Sequence, residues 1–425
     1  MALRGKDSVG VVFWGVVVVL CAATAFHGCS AALFKKKSSG SGNGGGSSVV
    51  FQLRGNVYPV GYYYAEVYIG NPPKPYYLDI DSGSDLTWLQ CDAPCVSCPQ
   101  VPHPLYKLTR NALVVCTEAM CKSFHSPPAY RCDKPTDQCD YEVEYADNGS
   151  SLGILVRDIV PIRYSNGTVL GPRLAFGCGY DQHVSKGDVS PTDGVLGLGN
   201  GKSTIASQLR SLGLIQNVIG HCMSARGGGY LFFGNELVPS SGIAVYRVKS
   251  LPVIFDSGSS YTYFNRQAYQ VFLSLVKKGL AGKPLNVAAD KTLSICWKGA
   301  KPFRSVLDVK QYFTPVTLSF ANKKSQLEIP PENYLIISSL GNVCLGILNG
   351  TEIGLENMNL IGDVSLQNQL VIYDNEKQRI GWIRADCNRL PNVDRDDDFF
   401  QPYAAKMGIL TDYCPATDTY DENER

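Results

Sequence analysis

The sequence predicts an all-β protein that is built from two related lobes with a cleft between them. The first observation is an internal repeat, because the tetrapeptide Asp81–Ser84 recurs as Asp256–Ser259, 175 residues later. The second is a short apolar run with glycine that follows each copy, at 194–199 and 359–363. The third is the alternation of apolar and polar residues along much of the chain, where helical patterns are sparse. A repeat of this length indicates two lobes rather than a solenoid.

Each copy of the tetrapeptide is predicted to lie on a turn between two strands. Short apolar runs lead into it and out of it, and the glycine two residues after each aspartate permits a sharp turn. Alternation predicts further strands, and apolar residues at helical spacing predict two helices. The predicted strands include 62–69, 141–145 and 369–373, and the predicted helices are 203–212 and 265–280.

Length and charge limit the possible functions. The chain has 425 residues and a mass of 46.3 kDa, with 39 Lys and Arg against 38 Asp and Glu. This balance excludes a nucleic-acid-binding protein that relies on bulk positive charge, and it implies no charged partner. Hydrophobic residues make up 44% and charged residues 18%, which is typical of a folded chain with a packed core.

The two ends are predicted to be appendages of this body. Residues 1–25 have a basic start and an uncharged run, which is typical of a signal peptide, and a retained signal anchor is the alternative. Residues 26–54 are predicted to be a short Ser/Gly-rich linker or pro-segment, and residues 391–425 an acidic tail. The leader indicates the secretory pathway and a secreted, extracellular or vacuolar protein. We expect no membrane contact unless the leader is retained.

The chain has 15 cysteines, which is typical of a protein from an oxidising compartment. Most of those beyond the leader are expected in disulfides, and the spacing alone leaves their pairing open. The triplet of Cys91, Cys95 and Cys98 also resembles an iron–sulfur motif, but such a cluster needs a reducing compartment. The cysteines beyond the leader and the predicted linker are Cys91, Cys95, Cys98, Cys116, Cys121, Cys132, Cys139, Cys178, Cys222, Cys296, Cys344, Cys387 and Cys414.

The repeated aspartate predicts a pair of carboxyl groups. A single aspartate on a turn is most often structural, because its side chain bonds nearby backbone amides. Two copies in equivalent lobes favour another interpretation, since pseudo-twofold packing would bring Asp81 and Asp256 together. Two adjacent carboxyls do not readily both ionise, so they share one proton. One then deprotonates a water while the other donates to a carbonyl oxygen, which hydrolyses a peptide bond without a metal or a covalent intermediate.

On these motifs the chain resembles a pepsin-type aspartic protease, and most closely the nucellin-like, atypical branch of plants. The resemblance extends from about Gly55 to Asn388. The resemblance implies a bilobed pepsin-like double-psi acid-protease barrel with a central cleft. It implies an aspartic endopeptidase that binds an extended polypeptide substrate, with Asp81 and Asp256 as the catalytic pair. We expect a monomer without cofactor or metal, and no nucleic-acid partner.

The resemblance also assigns the residues that support the pair. In each turn one hydroxyl braces the two loops against each other, and a second bonds the outer oxygen of the aspartate. The bracing residues are Ser82 and Ser257, those of the second kind are Ser84 and Ser259, and Gly83 and Gly258 lie between them.

A flap over the cleft is implied as well. Residues 141–153 resemble the flap hairpin of the family, with Tyr145 as its tyrosine and Trp88 as the hydrogen-bond partner of that tyrosine. Cys296 and Cys344 fit the disulfide that is common in the second lobe.

The second lobe departs from the family pattern just ahead of Asp256. The stretch 235–255 is too short for the strand pair that relatives carry there. We therefore predict a first lobe over 55–240 and a second lobe over 241–390 that is shortened near 235–255. The alternative is a catalytically impaired protein of the same fold, either a splice variant or a protein-binding relative, without protease activity.

Other chemistries lack their motifs. A phosphate loop at 197–203 fails because Leu196 occupies the place of a required glycine. The histidines show no metal spacing, and no zinc-protease or serine-hydrolase motif occurs. A glycosidase is not favoured, because its pair of carboxyl groups does not require duplicated turns. Sequons for N-glycosylation begin at Asn148, Asn166 and Asn349.

Overall fold

The computed structural model describes residues 47–94, 98–109, 112–125, 132–183, 189–246, 253–320 and 325–391. The predicted leader, most of the predicted linker, nearly all of the acidic tail, and Cys95 and Cys414 lie outside these residues. Within the described ranges, no helix combines the length and the apolar character needed to cross a bilayer.

The first lobe consists mainly of strands. Its strands are β1 (Val49–Asn56), β2 (Tyr62–Ile69), β3 (Lys74–Asp81), β4 (Trp88–Gln90), β5 (Asp140–Glu144), β6 (Ser150–Ile159), β7 (Ile162–Arg163), β8 (Val169–Leu170), β9 (Arg173–His183), β10 (Gly194–Gly197), β11 (Val218–Met223) and β12 (Gly229–Phe233). Its helices are α1 (Ala119–Phe124) and α2 (Ile205–Ser211).

The second lobe repeats this composition with shorter strands and a longer helix. Its strands are β13 (Ala244–Tyr246), β14 (Val253–Phe255), β15 (Thr262–Phe264), β16 (Asn286–Ala288), β17 (Cys296–Lys298), β18 (Val316–Ser319), β19 (Gln326–Ile329), β20 (Leu335–Ile337), β21 (Val343–Leu345), β22 (Ile347–Asn349), β23 (Asn359–Ile361), β24 (Gln369–Asp374) and β25 (Arg379–Arg384). Its α-helices are α3 (Arg266–Leu280) and α4 (Asp363–Leu366), and short 3-10 helices lie at 306–308, 310–312, 331–333 and 350–353. The all-β prediction is confirmed.

Local sequence explains the best-predicted elements. Every second residue of β2 is buried, as its alternating sequence predicts. Helix α3 begins where the side chain of Asn265 accepts a hydrogen bond from the backbone N–H of Ala268. Phe272, Val276 and Leu280 follow at intervals of one turn and form its buried face.

A central sheet joins the lobes. Its strands lie in the order β13, β25, β24, β11, β12 and β1, so β24 of the second lobe pairs with β11 of the first. This pair is antiparallel, with Gly220 opposite Ile372. A disulfide between Cys222 on β11 and Cys387 after β25 crosses the same junction. The lobes are therefore joined both by hydrogen bonds and by a covalent bond.

The same four-strand unit occurs in each lobe. In the first, β3 pairs in parallel with β10, β10 is antiparallel to β4, and β4 is parallel to β9. In the second, β14, β23, β15 and β22 repeat these three relations in the same order. The internal repeat of the sequence therefore corresponds to a structural repeat.

The lobes differ at the outer edge of this unit. In the first lobe, β2 pairs antiparallel with β3 along six residue pairs. In the second lobe, β14 is the last strand of its sheet as far as the described residues extend, and β13 pairs with β25 instead. An apolar cavity of about 740 Å³ lies beside β14 and is lined by residues that include Val253, Phe272 and Phe320. The stretch 235–255, which the sequence predicts to be shortened, leads to this edge, and its residues 247–252 lie outside the described ranges.

A strand begins inside the segment that the sequence predicted to be a linker or pro-segment. The linker was predicted to extend to residue 54, but β1 begins at Val49 and pairs with both β12 and β2. The Ser/Gly composition ends at Ser48, and Val49 and Val50 are buried. Their burial between two partner strands favours a strand over a linker.

Candidate active site

Each aspartate turn has a backbone hydrogen bond to the repeated apolar run of its own lobe. Strand β3 ends at Asp81, and β14 ends one residue before Asp256. The carbonyl of Asp81 accepts the N–H of Leu198 at 2.7 Å, and the N–H of Asp256 donates to Ile361 at 2.9 Å. Leu198 and Ile361 belong to the second repeated motif, so each turn is held by the apolar and glycine run that follows it in the same lobe.

Each turn approaches the carboxyl group of the opposite lobe. A Cβ atom at Gly83 would lie 2.9 Å from Oδ1 of Asp256, and one at Gly258 would lie 2.4 Å from Oδ1 of Asp81. The two carboxyls are close enough that the charge of Asp81 raises the pKa of Asp256. Only glycine permits this approach at both turns. The structure thus brings together the two aspartates that the repeat predicted to meet.

Ser82 and Ser257 brace the turns as the resemblance implied. The Ser82 hydroxyl donates to the carbonyl of Phe255, and the Ser257 hydroxyl donates to the carbonyl of Ile80, each at 2.9 Å. Each hydroxyl also accepts the backbone N–H of the other serine, at 3.0 and 3.1 Å. The brace is therefore reciprocal and close to symmetric.

The second pair of serines is asymmetric. The Ser84 hydroxyl donates to Oδ2 of Asp81, as expected. The Ser259 hydroxyl donates to the carbonyl of Tyr261 at 3.1 Å, so the bond expected from Ser259 to Asp256 is not made. A hydroxyl can donate only one hydrogen bond, and in the second lobe the carbonyl of Tyr261 accepts that bond.

This asymmetry distinguishes the two carboxyls. Asp81 accepts hydrogen bonds from the Ser84 hydroxyl and from the N–H of Gly83, at 2.8 Å for the latter. Such bonds stabilise the ionised form. Burial, followed by the charge of Asp81, raises the pKa of Asp256 to about 7. The N–H of Gly258 likewise donates to Asp256 at 3.0 Å, so the hydroxyl of Ser84 is the donor that has no counterpart at Asp256.

Two further buried carboxyls lie close to the pair. Burial, followed by the charges of neighbouring aspartates, raises the pKa values of Asp79 and Asp363 well above the usual range. Oδ1 of Asp79 and both carboxyl oxygens of Asp363 are buried without a hydrogen-bond partner among the described residues. Burial therefore favours the neutral form of both side chains.

Sequence reasoning missed these two residues, although signals for them were present. Asp79 lies two positions before Asp81 on β3, and side chains two apart on a strand share a face. Asp363 directly follows the repeated apolar and glycine run.

A hairpin covers the first-lobe side of the cleft. Strands β5 and β6 form it, and the turn between them includes Asn148 with a φ of 68°. The indole N–H of Trp88 donates to the hydroxyl of Tyr145 at 2.6 Å, and that hydroxyl also bonds Ser84. Burial raises the pKa of Tyr145, so its hydroxyl stays protonated. The flap is therefore linked to Asp81 through Ser84.

The cleft beneath this flap has a volume of about 490 Å³. Its lining includes Tyr62, Asp79, Asp81, Trp88, Tyr145 and Gly258. The first lobe supplies nearly all of the lining, Asp81 included, and Gly258 of the second aspartate turn completes it.

Most of the cysteines that were expected in disulfides pair with a cysteine of the same lobe. Cys296 and Cys344 form the second-lobe disulfide that the resemblance implied. Cys91 pairs with Cys178, so its sulfur is not free to bind an iron–sulfur cluster. The remaining pairs of the described residues, apart from the interlobe disulfide, are Cys116 with Cys132 and Cys121 with Cys139.

Comparison with known families gives two adjacent matches. Residues 63–235 match the family described as xylanase inhibitor N-terminal, and residues 235–383 match the family described as xylanase inhibitor C-terminal. Together they cover both aspartate turns.

Curated relatives have similar length and come from plants. An aspartic proteinase of rice, Oryza sativa subsp. japonica, is 44% identical over 383 aligned positions, which cover 81% of this chain and 92% of the relative. Since 81% of 425 residues is about 344, about 39 of those 383 positions have no counterpart in this chain. Aspartic proteinase 39 of Arabidopsis thaliana is 28% identical, covering 77% of this chain and 75% of the relative.

Solved structures share the fold at low identity. Basic 7S globulin from soybean superimposes with a TM-score of 0.63 at 18% identity, over 81% of this chain and 99% of the other. An aspartic proteinase from Irpex lacteus gives a TM-score of 0.56 at 15% identity, over 80% of this chain and 98% of the other.

Proposed function

The chain belongs to the pepsin-like aspartic protease family, and we propose that Asp81 and Asp256 are the catalytic pair of this aspartic endopeptidase. Its substrates are polypeptides. The observation that carries the assignment is the crossed approach of the two turns, in which Gly83 and Gly258 each lie against the carboxyl of the other lobe. Two separate structural aspartates would not require glycine at both positions.

The asymmetry of the pair supports distinct roles. Asp81, with two hydrogen-bond donors on its carboxylate, acts as general base and takes a proton from the attacking water. Asp256, whose pKa is raised to about 7, donates its proton to the carbonyl oxygen of the scissile bond. A tetrahedral diol forms, and return of a proton to the leaving nitrogen breaks the C–N bond. The buried surroundings of the two carboxyls have a low dielectric constant, which keeps the shared proton on the pair.

The flap and cleft suit an extended peptide. The hairpin of β5 and β6 covers the pair from the first lobe, and the bond from Trp88 to Tyr145 fixes the flap tyrosine near Ser84. We infer that the substrate binds across both lobes, the first over about 49–240 and the second over 241–390. We also infer a monomer that enters the secretory pathway and is secreted or vacuolar. The alternative of an inactive relative has no observation in its favour.

The test is hydrolysis of a denatured protein at acid pH. We expect cleavage that pepstatin blocks and that Asp81→Asn reduces by roughly 10³-fold or more, because the general base is lost. Asp147→Asn is the matched control, since Asp147 also lines the cleft but lies on the exposed flap turn. Unchanged cleavage by Asp81→Asn, measured beside the control, would rule out the proposed pair.

A further inference from the structure

The hydroxyl of Tyr373 is the centre of a buried hydrogen-bond cluster beneath the aspartate turns. It lies 3.1 Å from Oγ of Ser82, 3.1 Å from the carbonyl oxygen of Phe255 and 3.2 Å from Nε2 of His221. Tyr373 is 9% exposed and His221 is fully buried. Neither side chain belongs to the catalytic pair, yet both connect to the brace that holds it.

The central sheet places these two side chains together. His221 on β11 is opposite Val371 on β24, and Tyr373 lies two residues further along β24. Residues two apart on a strand share a face, so His221 and Tyr373 are diagonal neighbours across the junction of the lobes. Their ring centroids are 5.6 Å apart. The contact therefore depends on the pairing of the first lobe with the second.

Burial determines the direction of the hydrogen bonds. It lowers the pKa of His221 to about 3 and raises the pKa of Tyr373, so both groups are neutral over the range in which the enzyme is expected to work. Nδ1 of His221 has no partner among the described residues. An unpaired buried acceptor is better tolerated than an unpaired N–H, which assigns the proton of the ring to Nε2. His221 then donates to the Tyr373 oxygen, and Tyr373 donates to Phe255.

The carbonyl of Phe255 thus receives two hydroxyl donors, from Ser82 and from Tyr373. Its first-lobe counterpart, the carbonyl of Ile80, receives only the Ser257 hydroxyl among the hydroxyls of the described residues. Phe255 directly precedes Asp256, so an added bond to its carbonyl restricts the peptide unit that carries the Asp256 backbone nitrogen.

We propose that His221 and Tyr373 are positioning residues that hold Asp256 in place for proton donation, with His221 orienting the Tyr373 hydroxyl and Tyr373 fixing the Phe255 carbonyl. This proposal rests on the function assigned above. It gives the second lobe a support for Asp256 in place of the bond that Ser259 does not make.

The first test compares two tyrosine hydroxyls. Tyr373→Phe removes the proposed support, while Tyr334→Phe removes another buried tyrosine hydroxyl, which donates to the carbonyl of Thr314 at 2.8 Å. We expect both variants to lose similar thermal stability. Tyr373→Phe should also lower kcat by roughly tenfold with KM within about twofold, because a displaced acid acts on the transition state rather than on binding. Tyr334→Phe should keep kcat within about twofold.

The second test uses two amides at His221. The amide nitrogen of glutamine reaches the position of Nε2, whereas that of asparagine reaches only the position of Nδ1. We expect His221→Gln to keep most of the parent kcat and His221→Asn to show the loss seen in Tyr373→Phe. The alkaline limb of kcat/KM should move to lower pH in His221→Asn and in Tyr373→Phe, since a loosened turn admits water and lowers the pKa of Asp256.

Three results separate the possible failures. If Tyr373→Phe matches Tyr334→Phe in kcat, or if the two amides at His221 behave alike in kcat and pH profile, the positioning role is overturned. If the positioning role is overturned but Asp81→Asn is inactive in the same assays, the proposed function still holds. Full activity of Asp81→Asn would instead overturn the function itself.

Discussion

The two lobes carry the same four-strand unit around their aspartates, but within the described ranges only the first lobe has a strand along its outer edge. Strand β2 lies along β3, so the apolar residues of β2 such as Val67 and Ile69 are buried. No described strand lies along the outer edge of β14, and Val271 and Leu275 on the nearby helix α3 are 57% and 63% exposed.

The comparison shows which contacts the active site requires. Asp256 is held by Ile361 of the parallel strand β23 and by the reciprocal serine brace, and neither contact involves an outer strand. The second turn is therefore assembled although its outer edge is open. An outer strand adds buried apolar area to a lobe, whereas the inner strands and the opposite lobe position the carboxyl.

The largest expected difference between the lobes is in stability. Ile69→Ala should lower the free energy of unfolding by about 2–5 kcal/mol, because the side chain is 2% exposed and leaves a cavity. Leu275→Ala should change it by less than about 0.5 kcal/mol, because that side chain is largely exposed beside the open edge. Chemical denaturation of both variants measures the difference. Equal losses would mean that the edge of β14 is covered in solution.

The next largest effect concerns the crossed glycines. Gly83→Ala and Gly258→Ala each place a methyl group against the opposite carboxyl, so kcat should fall by roughly 10²-fold in both. Gly258→Ala should be the more damaging, since its Cβ would lie 2.4 Å from Asp81 rather than 2.9 Å from Asp256. Gly279→Ala is the control, because a Cβ there meets nothing within 4 Å. Normal turnover by Gly258→Ala would contradict the crossed geometry.

A smaller effect separates the two outer serines. Ser84→Ala removes a donor to the Asp81 carboxylate and should lower kcat by about tenfold. Ser259→Ala removes only a bond to the Tyr261 carbonyl, so kcat should stay within about twofold. Steady-state kinetics on one peptide substrate distinguishes the two. If both serines matter equally, the lobes are more symmetric during catalysis than in the free enzyme.

The smallest expected effect is a shift in pH dependence. Asp256 must be protonated, and its pKa is raised to about 7, so kcat/KM should fall as pH rises through about 7. In the unfolded chain this carboxyl loses its proton nearer its usual pKa of 3.8, so its contribution to stability also declines as pH rises between these values.

Ser84→Ala should move the alkaline limb of kcat/KM upward by about half a pH unit, since the ionised carboxyl pair loses a hydrogen-bond donor. Ser259→Ala should leave the limb in place, and a shift there would show that its hydroxyl reaches the pair.

The sequence alone was sufficient to predict the structural features that occur in both lobes. The duplicated turns predicted two lobes and the meeting of Asp81 with Asp256, and alternation predicted β2 at its observed bounds. The short stretch ahead of Asp256 predicted a reduced second lobe, and among the described residues no strand pairs with the outer edge of β14. Each of these follows from local pattern or from symmetry, which a single sequence carries.

The features that break the symmetry could not be predicted in this way. Ser84 and Ser259 end identical tetrapeptides, and the tetrapeptide does not reveal that the Tyr261 carbonyl accepts the hydrogen bond of Ser259. His221 and Tyr373 meet because of the register between β11 and β24, which are far apart in the chain. Contacts of this kind depend on tertiary packing rather than on local pattern.

The disulfide between Cys222 and Cys387 has a consequence for the integrity of the enzyme. Its sequence separation is 165 residues, so a single cut anywhere between these two cysteines gives two fragments that remain covalently linked. The stretch that joins the lobes lies within this interval, as does the short connection ahead of Asp256. A nicked molecule would therefore migrate as one species without reductant and as two with it, and its aspartates would stay on one covalent framework.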